Sequence, residues 1–196
     1  MKKNLLCCGF LILGTGMAFA NSPWTISLNP GYALPQEDSK DVLKNGLAID
    51  GAGEYRVDEW LSLGLETGAS FHKAGGTLNG FSFSSDIHDQ FIHVTPYVKV
   101  GNTLYLPVVR VRPYLFVGAG YYHVSNSAGS VSILGTSYPV SGSSDDFSGM
   151  NVGGGFDILL TDRFSIGPIV HYHQVFEPGS DDKLVIPGLR VAYTFN

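Results

Sequence analysis

The run LSLGLETGASF, residues 61–71, places Leu61, Leu63, Leu65, Ala69 and Phe71 on one parity and Ser62, Gly64, Glu66, Gly68 and Ser70 on the other. Two-residue alternation marks a β-strand with one apolar and one polar face. The run is about twice the length of an ordinary soluble strand of about 5–6 residues. It matches the roughly 9–11 residues that a tilted strand needs to cross a bilayer.

Seven further segments show the same rhythm. Near 23–34, Trp24, Ile26, Leu28 and Tyr32 share a parity. Near 45–57, Leu47, Ile49, Tyr55 and Val57 oppose Asp50, Glu54 and Arg56. Near 90–101, Ile92, Val94, Val98 and Val100 oppose His93, Thr95, Tyr97 and Lys99. The fifth segment, near 112–124, has less distinct faces, with Leu115, Val117, Ala119 and Tyr121 assigned outward. Near 147–160, Met150, Val152, Phe156, Ile158 and Leu160 oppose Asn151, Gly153, Gly155 and Asp157. Near 163–176, Phe164, Ile166, Val170, Tyr172 and Phe176 oppose Ser165, Gly167, His171 and His173. Near 183–195, Val185, Leu189, Val191, Tyr193 and Phe195 oppose Gly188, Arg190 and Thr194. The apolar parity is almost free of charge, whereas the polar parity carries nearly all of it.

Periodicity alone does not say which face points inward. A soluble barrel would bury the apolar face; a membrane barrel turns it to lipid. The N-terminus favours the second solution. Met1-Lys2-Lys3, an apolar run from Leu5 to Leu13 and Ala18-Phe19-Ala20 form a secretory signal over residues 1–20. Residues 21–196 are then a single barrel domain, exported to the bacterial outer membrane. The expected fold is all-β, an eight-stranded antiparallel up-and-down transmembrane β-barrel. A soluble periplasmic barrel is the rival.

Composition narrows the function. Cys7 and Cys8 lie in the leader, so the mature chain has no disulfide and no thiol ligand or nucleophile. Removing Lys2 and Lys3 takes the basic residues from 12 to ten against 17 acidic ones, a net charge of about −7. This argues against nucleic acid as a partner. Links near 57–59 and 161–163 are short. Those near 35–44, 73–89, 125–146 and 177–182 are polar or rich in Gly and Ser, and the link near 101–112 is ambiguous. Short periplasmic turns and longer outer loops are the habit of outer-membrane barrels. Aromatics near segment ends, including Trp24, Trp60, Phe71 and Phe164, fit interfacial girdles.

The order of RPYLFVGAGY (112–121), GGGFD (153–157), LTDRFS (160–165) and GLRVAYTF (188–195) resembles the small outer-membrane β-barrel superfamily. Two subgroups are similar. WTISLNPGYALP (24–35) followed by Glu37-Asp38-Ser39, and His93-Val94-Thr95-Pro96, resemble the OmpW group, which implies a narrow channel for small hydrophobic molecules. The other is the OmpA-type barrel, which implies a mainly structural role. In both, Gly188, Tyr193 and Phe195 would form the C-terminal signal read by the barrel assembly machinery, with Asn196 as a departure. The implied partners are outer-membrane lipid and lipopolysaccharide, the assembly machinery and periplasmic chaperones, and the implied state is a monomer.

Asp50, Glu54, Arg56, Glu66, His93, Lys99, Asp157, His171, His173 and Arg190 are expected to form a polar network in the lumen. In so narrow a barrel such a network fills the interior, although it can also be read as a gate. His171 and His173 share a strand face and with His93 could hold a transition metal. The expectation is instead that they join the network, with no metal and no cofactor. His123-Val124-Ser125-Asn126 resembles the stretch found in outer-membrane lipid A deacylases, but the acids that follow are Asp145 and Asp146 rather than a Glu. No catalytic residues are expected. The resulting function is a barrel with a structural or interaction role, or narrow passage of small molecules, its lumen plugged and polar. The alternatives are a lipid A-modifying hydrolase and an OmpW-like channel.

Overall fold

The computed structural model describes residues 24–36, 43–78, 81–133, 136–177 and 180–195. The expected leader and the Glu37-Asp38-Ser39 stretch lie outside them. Eleven strands follow in order: β1 (Trp24–Gln36), β2 (Gly46–Arg56), β3 (Leu61–Leu78), β4 (Phe81–Gly101), β5 (Leu104–Tyr105), β6 (Arg110–Asn126), β7 (Gly129–Ile133), β8 (Thr136–Val140), β9 (Ser143–Leu159), β10 (Phe164–Glu177) and β11 (Ser180–Thr194). Eight of them build the wall. Antiparallel pairing runs β1–β2–β3–β4–β6–β9–β10–β11 and returns to β1. The seam closes with Thr25 opposite Thr194 and Leu28 opposite Val191. A 2.9 Å hydrogen bond joins the two threonine hydroxyls, and Phe195 N donates to Trp24 O at 2.8 Å. Closure leaves the wall without an edge, and every wall strand then finds its backbone partners inside the sheet, as lipid requires.

The two parities are inside-out relative to a soluble barrel. Leu47, Ile49, Leu63, Leu65, Leu115 and Val117 face outward, Leu47 being 68% exposed. Asp50 and Glu66, on the other parity, are 1% and 3% exposed. This is the expected all-β membrane barrel, with the outward residues of every wall strand as read from alternation.

The links differ from expectation at the outer end. Residues 73–89 extend β3 and β4 well past the apolar band, through a bulge between Lys73 and Gly75. Gly75, at φ 145°, adopts there a backbone that other residues rarely take. Within 125–146, β7 and β8 form a hairpin, and β7 pairs with β4 at Phe83–Ser85. Their sequence, rich in Gly, Ser and polar residues, has no apolar parity to betray a strand. At the opposite end, β5 pairs back on the start of β6 through Leu104–Val111, forming a small hairpin in the ambiguous link.

Candidate functional site in the barrel interior

Inward parity stacks the interior into layers. Towards the outer end, Ala33, Ala48, Phe91, Tyr122, Val175, Leu184 and Ile186 pack as a buried apolar layer. One inward step along each strand, Asp50, Glu66, His93, Asn151, His171 and His173 meet. Below them, Ala52, Tyr97, Tyr114, Phe116 and Ile169 form a second apolar and aromatic layer. A charged lock centred on Glu54 follows on the periplasmic side.

The lock draws on six strands. Glu54 accepts two hydrogen bonds from Lys99 Nζ (2.7 and 3.0 Å), one from the Tyr97 hydroxyl (2.7 Å) and one from Arg190 Nη2 (2.8 Å). Arg190 Nη1 also donates to Ser27 Oγ at 2.8 Å, and its Nε lies 3.4 Å from Asp157 Oδ1. The Lys99 ammonium sits 4.4 Å from the centroid of the Tyr114 ring, a cation–π contact. Two cations thus face two carboxylates, all buried, which is the condition for charge to persist in a low-dielectric interior. The voids beside the lock measure about 10 Å³ each, no more than one water needs.

The middle layer is less satisfied. Glu66 Oε1 lies 3.5 Å from His93 Nε2 and 3.5 Å from His171 Nδ1, and accepts a hydrogen bond from Asn151 Nδ2 at 2.9 Å. Asp50 Oδ1 is 3.8 Å from His93 Nε2. The His171 and His173 rings stack with an interplanar angle of 3°.

The structure therefore brings nine of the ten expected lumen residues into two interior clusters. Arg56 stands apart, half-buried at the periplasmic rim beside Glu59, Trp60 and Arg112. Sequence reading missed Tyr97, Tyr114, Tyr122 and Asn151 as partners. All four lie on the inward parity of their strands, and that was the available signal. Of the assembly residues, Gly188 pairs with Gly31 at the seam, and Tyr193 and Phe195 meet edge to face at 5.1 Å.

Two features lie outside the membrane-spanning part. An outer vestibule of about 450 Å³ is lined by Ile87, Phe91, Val124 and Phe147 together with Asp89, Asp145, Glu177 and Asp182. Burial and the charges of Asp182 and Asp145 hold the Glu177 carboxyl above its ordinary range. On the wall's outer face, Asp146 sits opposite His123 in register and accepts a hydrogen bond from its Nδ1 at 2.7 Å, and another from the Tyr121 hydroxyl. These bonds, His123 first, hold the Asp146 carboxyl below its ordinary range. Among the described residues no hydrogen bond joins Ser125 to His123.

Solved structures of the same architecture are similar along almost their whole length. The attachment invasion locus protein Ail of Yersinia pestis superposes with a TM-score of 0.55 at 16% identity, covering 89% of this chain and 99% of that one. Neisserial surface protein A gives 0.56 at 15%, covering 89% and 98%. The outer membrane protein OprG of Pseudomonas aeruginosa gives 0.52 at 12%, covering 91% and 99%. At these identities the likeness is one of fold. Among curated proteins, none matches the sequence. The family model for the outer membrane protein beta-barrel domain matches residues 6–195, and the chain, an outer-membrane β-barrel by wall, closure and interior alike, belongs to that family.

Proposed function

We propose that this barrel is closed to solutes and serves through its outer surface, as a structural or interaction protein, rather than as an open porin. The observation that supports this is the filled interior. Eight strands leave room for side chains and little else. Here two apolar layers and the Glu54 lock take that room, with voids beside the lock of about 10 Å³. Its contacts are then outer-membrane lipid and lipopolysaccharide around the wall, the assembly machinery and chaperones on the way there, and whatever meets the vestibule; the barrel itself is a monomer. The test is planar-bilayer recording of the refolded protein. A flat baseline is expected. Reproducible stepwise conductance, or uptake of a small apolar solute into liposomes, would replace this reading with a narrow channel.

A second reading, hydrolysis of acyl ester in surface lipid, is favoured by the His123–Asp146 contact, because a carboxylate that orients a histidine is the arrangement a general base needs. Ser125, two residues along the same face, would be the nucleophile. Incubating the protein with lipopolysaccharide and searching for free fatty acid by mass spectrometry decides the matter: release that is lost in Ser125→Ala establishes catalysis, and no release removes it.

A further inference from the structure

We propose that the middle layer of the barrel is a binding site for one divalent transition-metal ion, ligated by Glu66, His93, His171 and His173 and holding opposite walls together as a structural staple.

The geometry comes first. In tetrahedral coordination with bonds of about 2.1 Å, ligand atoms stand roughly 3.4 Å apart. Glu66 Oε1 is 3.5 Å from both His93 Nε2 and His171 Nδ1. The ligating atoms of Glu66, His171 and His173 all lie within 4.8 Å of one another, a distance that small side-chain rotations close. The four residues are 1–5% exposed.

The unused valences come second. Among the described residues, His93 Nε2, both ring nitrogens of His171 and His173 Nε2 are buried without a hydrogen-bond partner. A buried polar atom left unpaired is costly, and natural interiors seldom leave several together. His173 also has an orienting partner: its Nδ1 shares a 3.0 Å hydrogen bond with the Tyr122 hydroxyl, which lies 3.2 Å from Met150 O. When that hydroxyl donates to Met150 O it accepts from Nδ1–H, the tautomer that leaves the lone pair on Nε2 for a metal. A partner of this kind, like Asn151 Nδ2 on Glu66, is what fixes ligand orientation in protein metal sites.

Charge comes third. Asp50 and Glu66 are buried carboxylates whose ion-pair partners among the described residues are histidines alone. Lys99 and Arg190 are taken by Glu54 and Asp157 in the layer below. A divalent cation balances two carboxylates and leaves the histidines neutral, as ligation requires. Three imidazoles and a carboxylate suit zinc and its first-row neighbours rather than calcium or magnesium. The ligands come from β3 and β4 on one side and β10 on the other, so the ion would tie the two together across the lumen.

The experiment uses the untagged barrel, residues 21–196, refolded in micelles with zinc and then freed of loose ion by desalting. Folding is checked by the shift between unheated and boiled gel samples. Mass-spectrometric metal analysis is expected to find about one zinc per folded chain, and a higher unfolding temperature than for protein refolded with chelator. Cobalt(II) in place of zinc should give the intense visible absorption of a tetrahedral site. Glu66→Gln, which keeps the side chain's shape, and His171→Gln with His173→Gln should each weaken retention at least about tenfold. His123→Gln, on the outer face, should leave it unchanged. Folded wild-type barrel that retains no zinc overturns the proposal in favour of histidine–carboxylate pairs alone. Retention that survives in folded Glu66→Gln and in the folded double variant overturns it as well.

Discussion

Arg190 is 2% exposed and holds Glu54, Ser27 and Asp157 at once. Its removal takes from Asp157 its ion-pair partner among the described residues and leaves Glu54 with Lys99 as its remaining ion-pair partner. Breaking a buried pair from one side typically costs about 3–5 kcal/mol, since the orphaned charge stays behind. Arg190→Ala should therefore lower the urea midpoint of the refolded barrel sharply, by a loss of that order, while bilayer conductance stays at baseline. An open, conducting variant of unchanged stability would instead identify Arg190 as a gate. The lock was partly legible in the sequence, because Glu54, Lys99 and Arg190 all fall on polar parities. That Lys99 and Arg190 meet on Glu54, and that Glu66 meets the histidines, was not legible. Parity says that a side chain points inward, but its height in the barrel depends on the register of strands distant in sequence.

At the scale of elements, β6 and β9 explain each other. The inward face of β6 carries Tyr114, Phe116 and Tyr122, while that of β9 carries Gly149, Gly153 and Gly155. A Cβ on Gly153 would overlap the Phe116 ring edge and the Val170 carbonyl; one on Gly155 would meet the Tyr114 hydroxyl at 2.8 Å. Gly153 and Gly155 of GGGFD are thus the space that the rings of the neighbouring strand fill. Overpacking such a contact costs typically about 1–3 kcal/mol. Gly153→Ala should show that loss in urea unfolding, with a smaller folded fraction on an unheated gel. A variant as stable as wild type would mean that Phe116 swings aside and the β10 backbone at Val170 shifts at little cost. The indistinct faces of the fifth segment have the same cause, since a strand that is aromatic inside and apolar outside gives little contrast along the sequence. The outer extensions of β3 and β4 and the β7–β8 hairpin escaped reading for the opposite reason, being polar and rich in Gly and Ser with no apolar parity.

For the whole molecule, the sequence by itself determined the wall. Eight long alternating segments with an uncharged parity call for a barrel, and their length together with the expected leader turns the apolar parity to lipid, since a soluble barrel shares the two-residue period but not the bilayer-spanning length. The eight strands and the parity of their outward residues follow from local pattern. The interior was decided only by the tertiary structure. Closing β1 against β11 and β4 against β6 sets the heights at which inward side chains meet. That step separates the Glu54 lock from the Glu66–histidine layer, sends Arg56 to the rim, and brings Asp146 to His123 across 23 residues. Pattern along one strand is a property of neighbours in the chain, whereas a layer across a barrel is a property of register, which is settled by the whole ring at once.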